Sequence, residues 1–140
     1  MKTINVTIVS AEKELYSGDV TFFAGTAVTG EIGVYPGHLP VLTLLKPGQV
    51  RLTLSDEKEE VFWISGGILE VQPNQIIVLA DSAERASDVD SAAAQKAVEK
   101  AEQLLKEAGS SEDFDFEQAQ TELSIARSQL DAVNRMKQFR

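Results

Sequence analysis

The hydrophobic period of the chain changes once, near residue 86. Before that point, short apolar runs recur in steps of two, as in Ile4, Val6 and Ile8, and after it in steps of three and four. A step of two places side chains on one face of a strand, whereas steps of three and four place them on one face of a helix. The sequence therefore predicts an all-β N-terminal domain, residues 1–85, and a helical C-terminal domain, residues 86–140.

Glycine and proline separate the apolar runs of the first domain. All four prolines and all the glycines except Gly109 precede residue 86, and pairs such as Pro47-Gly48 and Pro73-Asn74 are typical turn sequences. Short strands joined by close turns are typical of a sandwich or a barrel built from hairpins. Of these two folds, we favour the sandwich.

Two helices are predicted in the second domain, at about 89–108 and 115–138, and together they form an antiparallel hairpin. Gly109 can end the first helix in a left-handed cap, and Asp115 with Gln118 has the spacing of a capping box at the start of the second. The predicted seam between the helices consists of Ala94, Val98, Ala101, Leu105, Leu123, Ala126 and Leu130.

The seam is rich in alanine, and each alanine in place of leucine forgoes about 2 kcal/mol of burial, at roughly 0.8 kcal/mol per methylene. We therefore expect the hairpin to be a weakly held arm. Its second helix also carries a second apolar stripe, formed by Ile125, Ala132, Met136 and Phe139. This stripe either packs on the β domain or meets a partner protein when the arm moves, and both can hold in turn.

Composition excludes several classes of function. The formal net charge of −9 disfavours nucleic acid as a partner, because affinity for phosphate backbones rests on lysine and arginine. The absence of cysteine excludes disulfides, zinc-thiolate sites and cysteine nucleophiles, and is compatible with a reducing compartment. The N-terminal segment alternates polar and apolar residues, so neither a signal peptide nor a membrane-spanning helix is expected.

No constellation of residues predicts catalysis. His38 lies in a turn without an adjacent nucleophile, so a structural or interface role is favoured over that of a base. Residues 25–30 have the glycine spacing of a phosphate loop, but Glu31 stands where lysine is required. The acidic run 56–60 is interpreted as a charged hairpin tip rather than a metal site. We expect no catalytic residue and no metal.

The end of the second helix is basic within an acidic protein. Four cations, Arg127, Arg135, Lys137 and Arg140, stand against Asp131 alone, which is a local charge of +3. Such a segment is either a solvated helix face or a docking surface for an acidic partner.

Four segments resemble the epsilon subunit of bacterial F-type ATP synthases. They are Gly30–Leu42 (GEIGVYPGHLPVL), Val9–Glu12 (VSAE), Ser65–Val71 (SGGILEV) and Val78–Asp81 (VLAD), and the resemblance covers essentially the whole chain. It implies a rotor subunit without an active site, peripheral on the cytoplasmic face of the bacterial inner membrane and bound to the membrane only through the complex. The implied contacts to the gamma subunit and the c-ring are Ser10, Glu31, Gly33, Tyr35, Pro36 and His38.

In that family the helical arm takes two positions, folded on the sandwich or extended along gamma into the catalytic head of alpha and beta subunits, where it blocks ATP hydrolysis. The resemblance implies that the basic residues Arg127, Arg135, Lys137 and Arg140 then face an acidic segment of beta.

Some family members bind ATP on the folded hairpin through an apolar-Asp-x-x-Arg-Ala motif. Here Asp90 is present but Ala93 stands where the arginine belongs, and Ile125 and Gln129 stand in the places of two further arginines. Without three cations facing the phosphates, tight ATP binding is not expected, and no cofactor is predicted. The alternative functions are a free-standing nucleotide-sensing regulatory module, which the missing arginines disfavour, and an enzyme, which no constellation supports.

Overall fold

The computed structural model describes residues 2–108 and 115–138. Gly109, Phe139 and Arg140, for which the sequence predicts roles, lie outside the described residues. Within the described part the chain forms strands first and helices second. The strands are β1 Ile4–Ser10, β2 Glu14–Val20, β3 Phe22–Ala27, β4 Gly30–Val34, β5 Val41–Thr53, β6 Glu59–Ile64, β7 Gly67–Val71, β8 Gln75–Ala80 and β9 Ala83–Arg85, followed by a 3-10 turn Ala86–Asp88 and by helices α1 Ser91–Ala108 and α2 Phe116–Gln138.

The strands are hydrogen-bonded in the order β2-β1-β8-β7-β5-β3-β4, with β6 on the second part of β5 and β9 on β6. Only the β1 and β8 pair is parallel among these ladders. The long strand β5 pairs with β7 over Val41–Leu45 and with β6 over Gly48–Thr53, so it passes from one layer to the other at Pro47. A strand that changes partners in this way joins the two layers of a sandwich.

The sandwich has a hydrophobic core of its own. Every buried residue of its main cluster lies between Ile4 and Ala80, with Phe23, Leu52, Phe62 and Leu69 at 0% exposure. The alternation expected from the sequence is visible, because Ile4, Val6 and Ile8 on β1 all point into this core. No described residue of the helices belongs to the cluster, so the arm is not needed to complete it.

The helices of the hairpin are capped by aspartates. The carboxylate Oδ1 of Asp90 accepts a hydrogen bond from the Ala93 N–H at 3.0 Å, and Asp115 accepts one from the Gln118 N–H at 3.0 Å. The predicted capping box is only half formed, because the Gln118 side chain donates to Glu122 at 3.4 Å instead of returning to the cap. Each cap satisfies an N–H that would otherwise lack a partner at the start of its helix.

The two helices pack through the apolar residues that the spacing selects. Buried in their interface are Val98, Ala101, Leu123 and Ala126, with Leu105 and Leu130 half-buried against them, and Ala94 is also buried. The predicted fold class, an all-β N-terminal sandwich followed by a C-terminal antiparallel α-helical hairpin, is therefore confirmed.

Candidate functional site

The sandwich has two outer faces with different environments. Helix α2 packs against β6 and β5, so it covers one of these faces. The other face is formed by β1, β8, β7 and the first part of β5, and there apolar side chains are exposed to solvent. We call these the covered face and the bare face.

The bare face carries a row of apolar side chains, Val9, Leu79, Ile68 and Leu44, which we call the apolar row. Cross-strand pairing places them side by side: Val9 opposes Leu79, Leu79 opposes Ile68, and Ile68 opposes Leu44. The exposed fractions of Leu44, Ile68 and Leu79 are 57%, 42% and 51%, and nearby Leu42 is 74% exposed. Soluble monomers seldom expose contiguous apolar surface of this kind, so the row indicates a protein interface.

Sequence analysis did not single out the apolar row. A signal for it is present, because the segments Val41–Leu45, Ile68-Leu69 and Val78-Leu79 are continuously or almost continuously apolar instead of alternating. In a strand, adjacent apolar residues point to opposite faces. A strand that is apolar on both faces is typically covered on both faces. The inward residue enters the core, and the outward residue requires a second partner.

The predicted contact loop, Glu31 to His38, is a loop only in its second half, because Glu31 to Val34 belong to β4. The turn that follows β4 is tied to the turn between β7 and β8. Gly37 has a φ of +88°, and its N–H donates to the Pro73 carbonyl oxygen at 2.8 Å. The His38 N–H donates to Tyr35 at 3.2 Å, and the His38 ring Nδ1 lies 2.6 Å from the Leu39 carbonyl oxygen. Pro36 and His38 are half-buried. These contacts fix the loop as a stiff protrusion.

Aromatic packing braces the base of that loop. The Tyr35 ring is 68% exposed and rests on Phe22 with ring centroids 4.6 Å apart. Gly33 lies beneath the Phe22 ring, where an added Cβ would approach the ring carbon to 3.1 Å. Glu31 of β4 forms an ion pair with Arg51 of β5. Sequence analysis did not identify Phe22 or Arg51, because both are brought to the site by strand pairing.

Ser10 lies at the end of β1, next to the apolar row. Its Oγ accepts hydrogen bonds from the N–H groups of Glu12 and Lys13 at 3.3 and 3.4 Å, so the hydroxyl group closes the turn between β1 and β2. The structure thus places Ser10 directly after Val9, at the end of β1, where it borders a crevice that reaches Gln129 of α2. Glu31, Gly33 and Tyr35 lie on or just after β4, at the other end of the strand order.

The second apolar stripe of α2 packs on the covered face. Ala132 is 0% exposed against Val61, Trp63 and Ala86, and Ile125 and Met136 are half-buried in the same cluster. Of the two alternatives left open by the sequence, the structure shows packing on the β domain. The arm is therefore in its folded position.

Polar contacts accompany this packing. Arg135 donates two hydrogen bonds to the carboxylate of Glu59, at 2.8 and 3.0 Å, and Trp63 Nε1 donates to Ser128 Oγ at 2.8 Å. The hydrogen bond to Glu59 raises the pKa of Arg135 above its already high ordinary value. An arginine guanidinium group is charged at ordinary pH, and this contact favours the charged form further.

The other two basic residues of this segment that the structure describes, Arg127 and Lys137, lie outside this contact. Arg127 pairs with Glu102 at 2.8 Å across the hairpin, and Lys137 is exposed near the end of α2. The acidic run 56–60 is not simply a hairpin tip, because Glu59 and Glu60 already belong to β6 and form ion pairs with arginines. This corrects the interpretation made from the sequence.

The segment that resembles an ATP motif has a structural role in this chain. Asp90 caps α1, as described above, and Ala93 is exposed on its first turn. The adjacent crevice between the helices, about 290 Å³, is lined by Ile125 and Gln129, with Lys100 as its cation and Glu122 as its anion. In the described part of the chain, no group of His, Cys, Asp or Glu could hold a metal ion.

The described helices are all too short or too polar to cross a membrane. The features that remain are a bare apolar face, a braced loop and a folded arm held on the covered face. They define a class of protein: a β-sandwich with an exposed apolar face suited to protein docking, joined to a helical hairpin that folds back on it.

The chain belongs to the ATP synthase delta/epsilon chain family. Residues 3–86 match the beta-sandwich domain model of that family, and residues 87–134 match its long alpha-helix domain model. A chain named ATP synthase epsilon chain from Nitrosococcus oceani is 46% identical over 96% of this chain and 95% of its own length. A chain of the same name from Delftia acidovorans is 44% identical over the full length of both.

Solved structures share the fold at lower identity. A chain in the mitochondrial ATP synthase of Euglena gracilis, in an OSCP/F1/c-ring structure, has a TM-score of 0.82 at 22% identity, over 94% of this chain and 81% of that one. A chain in the central stalk and c-ring structure of the mitochondrial ATP synthase from Tetrahymena thermophila has a TM-score of 0.66 at 16% identity. The match covers 94% of this chain and 97% of that one.

Proposed function

We propose that the chain is a non-catalytic subunit of the rotor, or central stalk, of a proton-translocating bacterial F-type ATP synthase. The observation that carries the proposal is the apolar row on the bare face, because the sandwich core is complete without covering it. Family membership supports the same conclusion: the relatives are named as epsilon chains. In this role the chain transmits rotation of the c-ring, through gamma, to ATP synthesis in the alpha and beta subunits.

The sandwich is the mechanical part. Gamma would cover the apolar row and the neighbouring Ser10, where burial of exposed leucine and isoleucine supplies the affinity. The segment from Glu31 to His38, which is the end of β4 and the turn after it, would face the c-ring and the stalk. Transmission of torque requires a stiff protrusion, and the contacts of Tyr35 with Phe22 and of Gly37 with Pro73 supply this stiffness.

The hairpin is the regulatory part. Folded on the sandwich it leaves the catalytic head unobstructed, and extended it would inhibit ATP hydrolysis. Its basic residues Arg127, Arg135, Lys137 and Arg140 would then contact the catalytic beta subunits. The alanine-rich seam and the small contact of Ala132 with the sandwich support a switch between two states of similar free energy.

The chain is part of a membrane-associated complex, and we place it on the cytoplasmic face of the bacterial inner membrane. Co-purification tests the proposal: a tagged copy of the full chain, expressed in its source bacterium, should bring down alpha, beta and gamma chains in fixed proportion. A tagged chain that is recovered alone, although folded, would contradict the proposal.

A further inference from the structure

The arm touches the covered face along a narrow strip. On one side of the strip is a crevice of about 520 Å³, lined by sandwich residues such as Thr26 and Gln49 and by Ser124 of α2. On the other side is a crevice of about 510 Å³, which extends from Glu12 to Gln129 of α2. The arm therefore buries little of either surface at its flanks.

The apolar part of this strip is a single cluster. Its most buried member on the arm is Ala132, which contributes a single methyl group, while Ile125 and Met136 remain half-buried. On the sandwich side, Val61 and Trp63 are buried in the same cluster at 6% and 5% exposure, so apolar burial contributes to holding the arm. Polar contacts act in addition to it.

Within residues 2–108 and 115–138, polar contacts across the strip are made by Trp63 with Ser128 and by Glu59 with Arg135, and the second involves full charges. The side chains of Glu59 and Arg135 are only 13% and 29% exposed, and they make two hydrogen bonds in the fork geometry that favours arginine with carboxylate. The other contact, from Trp63 to Ser128, is between neutral groups. Charged and mostly buried pairs lose far more than neutral ones when one partner departs.

Arg135 is also one of the cations that the proposed function assigns to the catalytic head. A guanidinium group cannot hold Glu59 and a carboxylate on another protein in the same bidentate geometry at once. From this conflict we infer that Glu59 is the latch of the arm: its carboxylate competes with the partner surface for the guanidinium of Arg135. The inhibitory role rests on the proposed function, but the latch itself is a property of the isolated chain.

The test uses a thiol as a reporter of arm lifting. The chain has no cysteine, and Ser128 of α2 is 6% exposed where the arm meets Trp63 of the sandwich, so Ser128→Cys places one protected and nearly isosteric thiol in the contact. The rate of its reaction with a disulfide reagent measures the fraction of molecules with a lifted arm. In this background, Glu59→Gln keeps the size of the side chain and removes its charge.

The matched control is Glu60→Gln. Glu60 is the next residue on β6, and its carboxylate pairs with Arg85 of the sandwich rather than with the arm. We expect labelling to accelerate roughly tenfold in Glu59→Gln, because the folded arm loses one mostly buried ion pair and the lifted fraction rises accordingly. The Glu60→Gln control should label at the parent rate. Equal rates in Glu59→Gln and the parent would overturn the latch.

Two further measurements separate the possible causes. A general loss of stability would also accelerate labelling, so the urea midpoint of the sandwich is measured for each variant. We expect this midpoint to be unchanged in Glu59→Gln. If the midpoint falls enough to account for the faster labelling, the latch is overturned. In the assembled complex, a released arm should lower ATP hydrolysis. Faster labelling with unchanged hydrolysis would support the latch and contradict the inhibitory arm of the proposed function.

Discussion

Replacing Leu44 and Ile68 of the apolar row by lysine should prevent the sandwich from binding gamma. The two side chains are 57% and 42% exposed, so together they offer about one full aliphatic side chain to a partner. Burial of that surface is worth about 1.5–3 kcal/mol. Two ammonium groups in the same interface would each add several kcal/mol of desolvation cost. The total exceeds about 5 kcal/mol, which raises the dissociation constant by more than about a thousandfold.

The same change should leave the fold almost intact. Both positions point to solvent in the chain alone, and a lysine there can keep its ammonium group in water, so we expect at most about 1 kcal/mol of lost stability. The assay is titration calorimetry of the full chain with purified gamma, together with urea denaturation of each variant. The control is Leu104→Lys, because Leu104 is 36% exposed on α1, away from the bare face. Unaltered affinity in the double variant would refute the assignment of the bare face to gamma.

Three further outcomes can be measured on the isolated chain. Gly67→Ala should lower the unfolding free energy by about 3 kcal/mol or more, because φ is +147° and an added Cβ would collide with the Leu79 carbonyl oxygen. Gly37→Ala should lower it by only about 1 kcal/mol, because φ is +88° but the space around the residue is open. Urea denaturation measures both. Leu123→Ala should destabilise the hairpin by about 2–3 kcal/mol, and melting followed by circular dichroism should show earlier loss of helix while the sandwich transition stays in place. ATP should give no measurable heat on titration into the chain, and micromolar affinity would contradict our interpretation of Ala93, Ile125 and Gln129.

Local patterns predicted the larger part of this fold. The change of period near residue 86, the turn sequences and the three- and four-residue spacing of the helical seam each depend on neighbours in the chain. They therefore predicted the sandwich, the hairpin and the residues that face each other within it. The aspartate caps at Asp90 and Asp115 are local in the same sense, although the sequence suggested a complete capping box at Asp115 and the structure forms half of one.

Contacts between distant segments could not be predicted in this way. Glu59 and Arg135 are 76 residues apart, and Trp63 and Ser128 are 65 apart, so no periodicity relates them. The apolar row likewise depends on which strands become neighbours, and each strand alone shows only that both of its faces are apolar. Basic residues at the end of α2 could be recognised from the sequence, but the partner of Arg135 in the folded arm required the structure.

The most direct test of the whole account is ATP hydrolysis by the purified complex that contains either the intact chain or a chain lacking residues 127–140. The truncation removes Ala132 and Arg135 from the covered face and leaves the sandwich core and the bare face untouched. Assembly with gamma should therefore persist, and hydrolysis should rise because the arm can no longer reach the catalytic head. Equal hydrolysis by the two complexes, with the truncated chain present in full amount, would contradict an inhibitory arm on a stalk-bound sandwich.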